Sequence, residues 1–206
     1  MSVQQAYNSW ASQYDTNLNK TRDLEALALR EVLSGISFSN CLEIGCGTGK
    51  NTEWLIQKAQ HITAVDLSDE MLAKATAKIT SGNVEFKQAD ITQPWTFGTG
   101  FDLVTFSLVL EHIENLGPIF REVAAALQPG GHVYIGELHP FKQYTGSKAR
   151  FDTEEGLQVV ECYNHNISDF IQAAKKHGLT LTDVNEYFDD NNRSEIPRIA
   201  VIVLKK

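Results

Sequence analysis

Two periods alternate along this chain. Apolar residues gather in short runs at 40–44, 61–66, 83–88, 101–107 and 131–137, and these runs predict strands. Between them apolar positions recur at helical spacing over roughly 50–59, 69–80 and 117–127. Strands separated by helices imply right-handed βαβ units, hence a parallel sheet covered on both faces. Ser68 before Asp69 and Glu70 reads as an N-cap with acids in the first turn. Pro129-Gly130-Gly131 closes the third helix and feeds the next strand.

The flanks differ from this block. Residues 22–34 predict an amphipathic helix stopped by Gly35, and within 3–15 Tyr7, Trp10 and Tyr14 fall at helical spacing. That aromatic stripe serves either as core or as a lid folded over a ligand. Residues 138–162 have no clean period; a helix follows at about 167–177, stopped by Gly178. Strands at 180–188 and 198–204 then flank the polar turn from Asp189 to Pro197. They read as a hairpin, so the final strand is expected to run antiparallel to the others.

The stretch Glu43-Ile44-Gly45-Cys46-Gly47-Thr48-Gly49-Lys50 joins the first strand to the helix after it. Glycine there lets backbone approach a ligand. A dinucleotide fingerprint needs a glycine where Lys50 stands, and Glu43 at the mouth would repel a pyrophosphate. An acid suits instead a ligand carrying an ammonium or sulfonium. Asp66 ends the second strand, where an acid can hold a ribose diol, and Asp90 ends the third. Taken alone, Asp90 reads equally as a turn cap. Ligands of an open α/β sheet bind beyond the carboxyl ends of its strands, which puts Ser107 to His112, Glu137 to Pro140 and the turn around Arg193 on the same rim.

Composition narrows the partners. With a formal net charge of −8 over 206 residues, neither nucleic acid nor an anionic membrane is expected as main partner. No apolar run nears the ~20 residues a spanning helix needs. Three cysteines without metal-like spacing suggest reduced thiols in a cytoplasm; Cys46 is either reactive or a small filler of the glycine turn.

At this point the motifs resemble a known family. Glu43-Ile-Gly45-Cys-Gly47-Thr-Gly49 is similar to the glycine motif of class I S-adenosylmethionine-dependent methyltransferases. Val65-Asp66-Leu67-Ser68 resembles their second-strand acid and Gln88-Ala89-Asp90 the residues beside the adenine. Phe101-Asp102-Leu103-Val104, Leu110-Glu111-His112-Ile113 and Leu127-Gln-Pro-Gly-Gly131 resemble the later motifs, so the resemblance spans about 38–137. Tyr7 to Asp15 is similar to the leading segment of small-molecule members. The resemblance implies a Rossmann-like doubly wound sheet of seven strands, mostly parallel with an antiparallel final strand and helices on both faces. No linker splits the chain, so one domain is expected over 1–206: a lid or helical segment (1–35), a cofactor core (36–137), a substrate-side insertion (138–162) and a C-terminal helix and hairpin (163–206).

The resemblance also implies a cofactor set. The glycine turn (Gly45, Cys46, Gly47, Gly49) would take the methionine part, with Glu43 supporting the loop. Asp66 would accept the ribose hydroxyls, Leu67 would pack on the adenine and Asp90 would bond its amino group. Tyr14, Met71, Ala89, Ile91 and Ser107 complete the set. The product would be S-adenosylhomocysteine.

For the acceptor, an amine or hydroxyl must lose a proton, and His112 and His139 are the expected candidates. His112 otherwise lines the pocket, and His139 before Pro140 otherwise anchors a turn. Tyr7, Trp10, His112, Tyr144, Lys148, Arg150 and Arg193 are the expected substrate contacts, the cations serving as an anion clamp or as a solvated face. No metal is expected, because the spacing matches no chelating motif and the reaction needs none. A small-molecule acceptor leads; a protein side chain or a non-catalytic cofactor-binding role are alternatives, and a dinucleotide oxidoreductase is disfavoured. Oligomeric state is not legible.

Overall fold

A computed structural model of the chain describes residues 2–153 and 156–206. Its central sheet is built from β1 (Asn40–Ile44), β2 (His61–Asp66), β3 (Val84–Gln88), β4 (Phe101–Ser107), β5 (Leu127–Leu138), β8 (Thr180–Tyr187) and β9 (Ile199–Lys205), in the order β3-β2-β1-β4-β5-β9-β8. β9 pairs antiparallel with both β5 and β8, and the pairs from β3 to β5 are parallel. The final strand is therefore antiparallel, as its hairpin pattern predicts, and lies between β5 and β8 rather than at the edge.

Strand order reverses between β1 and β4, which opens a crevice beyond their carboxyl ends. Both faces of the sheet are filled. One side packs Leu42, Ile44, Val104 and Phe106 with Phe120 and Val123 of α5 (Leu116–Ala126) and Phe170 of α7 (Ile167–Lys176). The other packs Cys41, Leu103 and Tyr134 with Ala28, Leu29 and Leu33 of α2 (Lys20–Leu33).

Three segments depart from the sequence expectation. The helix expected at 50–59 is only α3 (Thr52–Leu55); Gln57 and Lys58 then donate to carbonyls three residues back, so the chain tightens to reach β2. The stripe in 3–15 begins as α1 (Val3–Trp10), closed at its start by a Ser2–Gln5 capping box, and continues as turns. Residues 138–162 contain α6 (Pro140–Tyr144) and a small antiparallel pair, β6 (Arg150–Thr153) with β7 (Gly156–Val159). Two four-residue strands carry too few alternations to announce themselves.

That pair supports α1. Phe151 stacks on Trp10 at 5.1 Å between ring centroids, inside a third apolar cluster with Ala6, Ala11, Met71 and Val160. α1 is also pinned to the start of α4 (Asp69–Lys78): the Asn8 amide donates to Asp69 Oδ1 at 2.8 Å, and the Ser68 hydroxyl donates to Asn8 Oδ1 at 2.5 Å. The aromatic stripe is thus both a core and a cover, lying across the crevice.

Gly45, Gly47 and Gly49 take left-handed φ of 71°, 53° and 82°. A Cβ on Gly45 would lie 2.1 Å from Val109 Cγ2. Overpacking costs roughly 1–3 kcal/mol, and a left-handed side chain adds ~1–2 kcal/mol. Gly45→Ala is therefore expected to destabilise the fold by at least ~2 kcal/mol, read as a lowered urea midpoint; an unchanged midpoint would mean that Val109 yields freely.

Candidate active site

The crevice holds three cavities that meet at two residues. The first, about 270 Å³, is lined by Gly45, Gly47, Asp66, Leu67, Ala89, Asp90, Ile91, Ser107 and His112, with Tyr7 and Tyr14 of the cover above. The second, about 50 Å³, runs between Glu25, Glu43, Cys46, Asn51 and Arg22. The third, about 370 Å³, is bounded by Tyr7, Trp10, Arg22, Glu111, Lys148, Arg150 and Arg198. Tyr14 and Leu108 line all three. Leu108 holds φ at 59°, an uncommon conformation for a side chain of that size, directly at the junction.

In the first cavity Asp66 is gripped by backbone: Gly47 N–H donates to Oδ2 at 2.7 Å and Ser68 N–H to Oδ1 at 2.8 Å. Burial raises its pKa against the opposing pull of those amides. Asp90 is exposed and caps its own turn through Thr92 N–H and Oγ1, so the turn-cap reading describes its present bonds while its side lines the cavity.

The second cavity concentrates buried acid. Glu43 accepts the Thr52 hydroxyl at 2.6 Å, and burial pushes its pKa to about 8. Glu25, from α2, accepts Tyr134 Oη at 3.1 Å and Asn51 Nδ2 at 3.1 Å; burial lifts it to about 7. It reaches the sheet only because Gly136 has no side chain: a Cβ there would lie 2.6 Å from Glu25 Oε1. Asn51 Oδ1 and Arg22 Nε are buried without partners, one an acceptor and one a donor. Two acids, an amide oxygen and a guanidinium suit a zwitterion.

The segment after β4 is held by one side chain. Glu137 accepts the N–H groups of Val109 (3.0 Å), Leu110 (2.8 Å) and Glu111 (3.3 Å). Burial and the neighbouring Glu111 carry Glu137 up to about 8 against the pull of those amides. His112 is committed at both nitrogens. Nδ1 lies 2.7 Å from the Glu161 carbonyl, which only accepts, so Nδ1 carries the proton and Nε2 accepts from Tyr7 Oη at 2.8 Å. Burial lowers the His112 pKa and raises that of Tyr7 well above its ordinary range, so both are neutral.

Several expected site residues sit elsewhere. His139 is buried, its Nε2 3.0 Å from Glu186 and its Nδ1 capping α6 at Phe141 N–H; it lines none of these cavities and anchors the turn. Tyr144 is exposed and donates to Asn166 Oδ1 at 2.8 Å. Arg193 is exposed over the Phe188 ring, and Arg198, in a bidentate pair with Asp189, occupies the rim instead. Met71 is fully buried under α1, and Gly49 packs against Ile79 and Ala75 of the α4 region. Cys46 is buried with its thiol pushed well up by burial, which fits the small-filler reading.

Arg22, Glu25, Asn51 and Arg198 escape a sequence reading, and Leu108 falls within the expected rim of Ser107 to His112 without standing out in it. The i, i+3 spacing of Arg22 and Glu25 puts them on one face of a helix, but only tertiary packing turns that face toward the crevice. Glu111, His112 and Cys162 bring one potential metal donor each within 4.8 Å, but both imidazole nitrogens already bond other groups.

Known proteins share this fold and parts of its sequence. A family profile described as "Methyltransferase domain" matches residues 42–135. The ubiquinone biosynthesis O-methyltransferase of Vibrio parahaemolyticus is 28% identical over 174 residues, covering 82% of this chain and 73% of that protein. The malonyl-[acyl-carrier protein] O-methyltransferase of Haemophilus ducreyi is 34% identical, covering 57% of this chain and 49% of that one. Among solved structures, DhpI in complex with SAH superposes with TM-score 0.78 at 25% identity, covering 98% of this chain and 94% of that one. The N-methyltransferase NodS of Bradyrhizobium japonicum, bound to S-adenosyl-L-homocysteine, shares the fold at TM-score 0.75 and 19% identity, with 100% and 99% covered. Over its core the chain is thus similar to proteins described as methyltransferases, and its fold is that of class I S-adenosylmethionine-dependent methyltransferases.

Proposed function

We propose that this enzyme methylates a small molecule bound in the third cavity. The observation that carries the reading is the meeting of three cavities at Tyr14 and Leu108, one fitting a nucleoside, one a zwitterion and one left open. In this reading Asp66 holds the ribose hydroxyls, Leu67 and Ile91 flank the adenine and Asp90 reads its amino group. Glu25, Glu43 and Asn51 receive the ammonium of the methionine end, and Arg22 its carboxylate. Bound there, S-adenosylmethionine supplies an electrophilic methyl group on a sulfonium. The chain's own work is alignment and exclusion of water, which can lower a barrier by up to roughly 7–11 kcal/mol. α1 and β6–β7 cover the crevice with aromatic rings.

The acidic charge argues against nucleic acid, and a protein side chain remains the second acceptor class. Among the described residues no helix is long and apolar enough to cross a membrane. The three free cysteines, none in a disulfide, fit work in a cytoplasm.

Two outcomes are expected. Calorimetry should detect S-adenosylhomocysteine binding, and Asp66→Ala should weaken it by about 10–100-fold, since hydrogen bonds to a charged group are worth roughly 1.5–3 kcal/mol. His112→Ala, whose ring bonds protein groups, should weaken it far less; equal losses would contradict the assignment.

The second concerns pH. Glu43 and Glu137 near 8, and Glu25 and Glu111 near 7, keep protons in the folded state that the unfolded chain releases near 4.5. His112, His132 and His139 have lowered pKa values, so their opposite contribution ends once the unfolded histidines are neutral, above 6.5. The melting temperature of the cofactor-free protein should therefore fall from about pH 6.5 to about pH 8. A flat or rising melting temperature across that window would refute the burial of these acids.

A further inference from the structure

The third cavity has a distribution of charge that goes beyond a generic acceptor pocket. Lys20, Arg22, Lys148, Arg150 and Arg198 line it, against a single carboxyl, Glu111. Arg198 is paired with Asp189, and the terminal nitrogens of Arg22 donate to the carbonyls of Tyr14 and Asn17. Lys148 and Arg150 have no ion-pair partner among the described residues, although the chain as a whole is acidic.

Glu111 is the opposite case. Its side chain is only 6% exposed, and Oε2 has no hydrogen-bond partner. A buried carboxylate oxygen without a partner is costly unless a ligand supplies the proton donor. The residue's backbone is fixed by Glu137 at its N–H and by Tyr163 N–H at its carbonyl, 2.7 Å away, so the side chain is presented from a rigid turn. The groups facing it are His112 (Nε2 3.9 Å from Oε1), Cys162, Tyr7, Glu137 and, beyond Cys162, Lys148. His112 cannot take a proton from the third cavity: it lines the first, and its basic nitrogen is held by Tyr7.

Resting on the methyltransferase reading above, we propose that Glu111 is the catalytic base, and that the acceptor is a small molecule with a hydroxyl or amine facing Glu111 and an anionic group facing Lys148 and Arg150. The acceptor's oxygen or nitrogen forms its bond to the methyl carbon as the carbon–sulfur bond breaks. The electron pair of that bond stays on sulfur, which becomes a thioether. The acceptor's proton passes to the Glu111 carboxylate and from there to solvent. A carboxylate or phosphonate oxygen has no proton to give, and a buried carboxylate beside it would repel it. The anionic group of the acceptor is thus the handle and not the methylated atom. Burial holds Glu111 near 7, where a base is both available and strong enough to act. A cavity of about 370 Å³ is of the size that takes a one-ring or short-chain compound.

The test uses the full chain with S-adenosylmethionine and reads S-adenosylhomocysteine formation. Probes with both groups are 3,4-dihydroxybenzoate, 3-aminobenzoate and lactate. Benzoate and phenylphosphonate carry the anion alone; catechol and aniline carry the nucleophile alone. Turnover is expected only in the first set, methylated on oxygen or nitrogen of the hydroxyl or amine, with kcat rising through about pH 7. Glu111→Gln should lower kcat by about 10²–10⁴-fold, change KM little, abolish the pH rise and leave S-adenosylhomocysteine affinity intact. Lys148→Ala with Arg150→Ala should instead weaken probe binding to the S-adenosylhomocysteine complex at least tenfold by calorimetry. If Glu111→Gln fails to fold, the pH profile of the unaltered enzyme and the lysine–arginine variant still decide. Methylation of the anion, turnover confined to uncharged probes, no turnover in any set while S-adenosylhomocysteine binds, or activity abolished by a chelator overturns the proposal. Absence of S-adenosylhomocysteine binding would instead sink the methyltransferase reading on which it rests.

Discussion

One buried carboxyl group sets the geometry of the site. Glu137, at the end of β5, accepts three consecutive amides from the segment after β4. Those amides would otherwise be buried without partners, at a cost of about 1–3 kcal/mol each. Their capture fixes the bend at Leu108, where φ is 59°, and so fixes Val109 under Gly45, Glu111 beside the third cavity and His112 beneath Tyr7. The glycine turn and the turn after β4 are therefore not independent. A side chain on Gly45 would strike the residue that Glu137 holds in place.

The same region gathers four buried acids, Glu25, Glu43, Glu111 and Glu137, each with its pKa raised by burial. Such groups weaken a fold at neutral pH unless something offsets them. Glu137 is offset by amides and Glu25 by Tyr134 and Asn51. Glu43 has Thr52. Glu111 has the Cys162 thiol beside it, but its Oε2 has no partner and stays open to a ligand. Where charge is positive instead, along Lys148 and Arg150, it lines the same third cavity as this acid.

Much of this was legible from residue order. The five parallel strands and the closing hairpin follow from period and punctuation, because the central strands carry buried apolar runs and the segments are set off by glycine, proline or polar turns. Gly45, Gly47 and Asp66 stand out because backbone geometry and strand ends leave few residue choices there. What stayed hidden depends on packing between distant segments. Nothing local marks Glu25 as a site residue, since its approach requires Gly136 more than a hundred positions away. His112 and His139 look alike beside strand ends, yet one ring closes against Tyr7 and the other against Glu186. Arg193 lies in the polar turn and Arg198 just after it, and the pairing of Arg198 with Asp189 decides which of them faces the rim.

The convergence of three cavities on Tyr14 and Leu108 is the claim on which the functional reading stands. A crystal structure of the enzyme with S-adenosylmethionine tests it most directly. The sulfonium is expected at that junction, with its methyl group directed past Leu108 into the cavity bounded by Glu111, Lys148 and Arg150. A methyl group directed at solvent, or a methionine end lying outside the space between Glu25, Glu43 and Arg22, would contradict it.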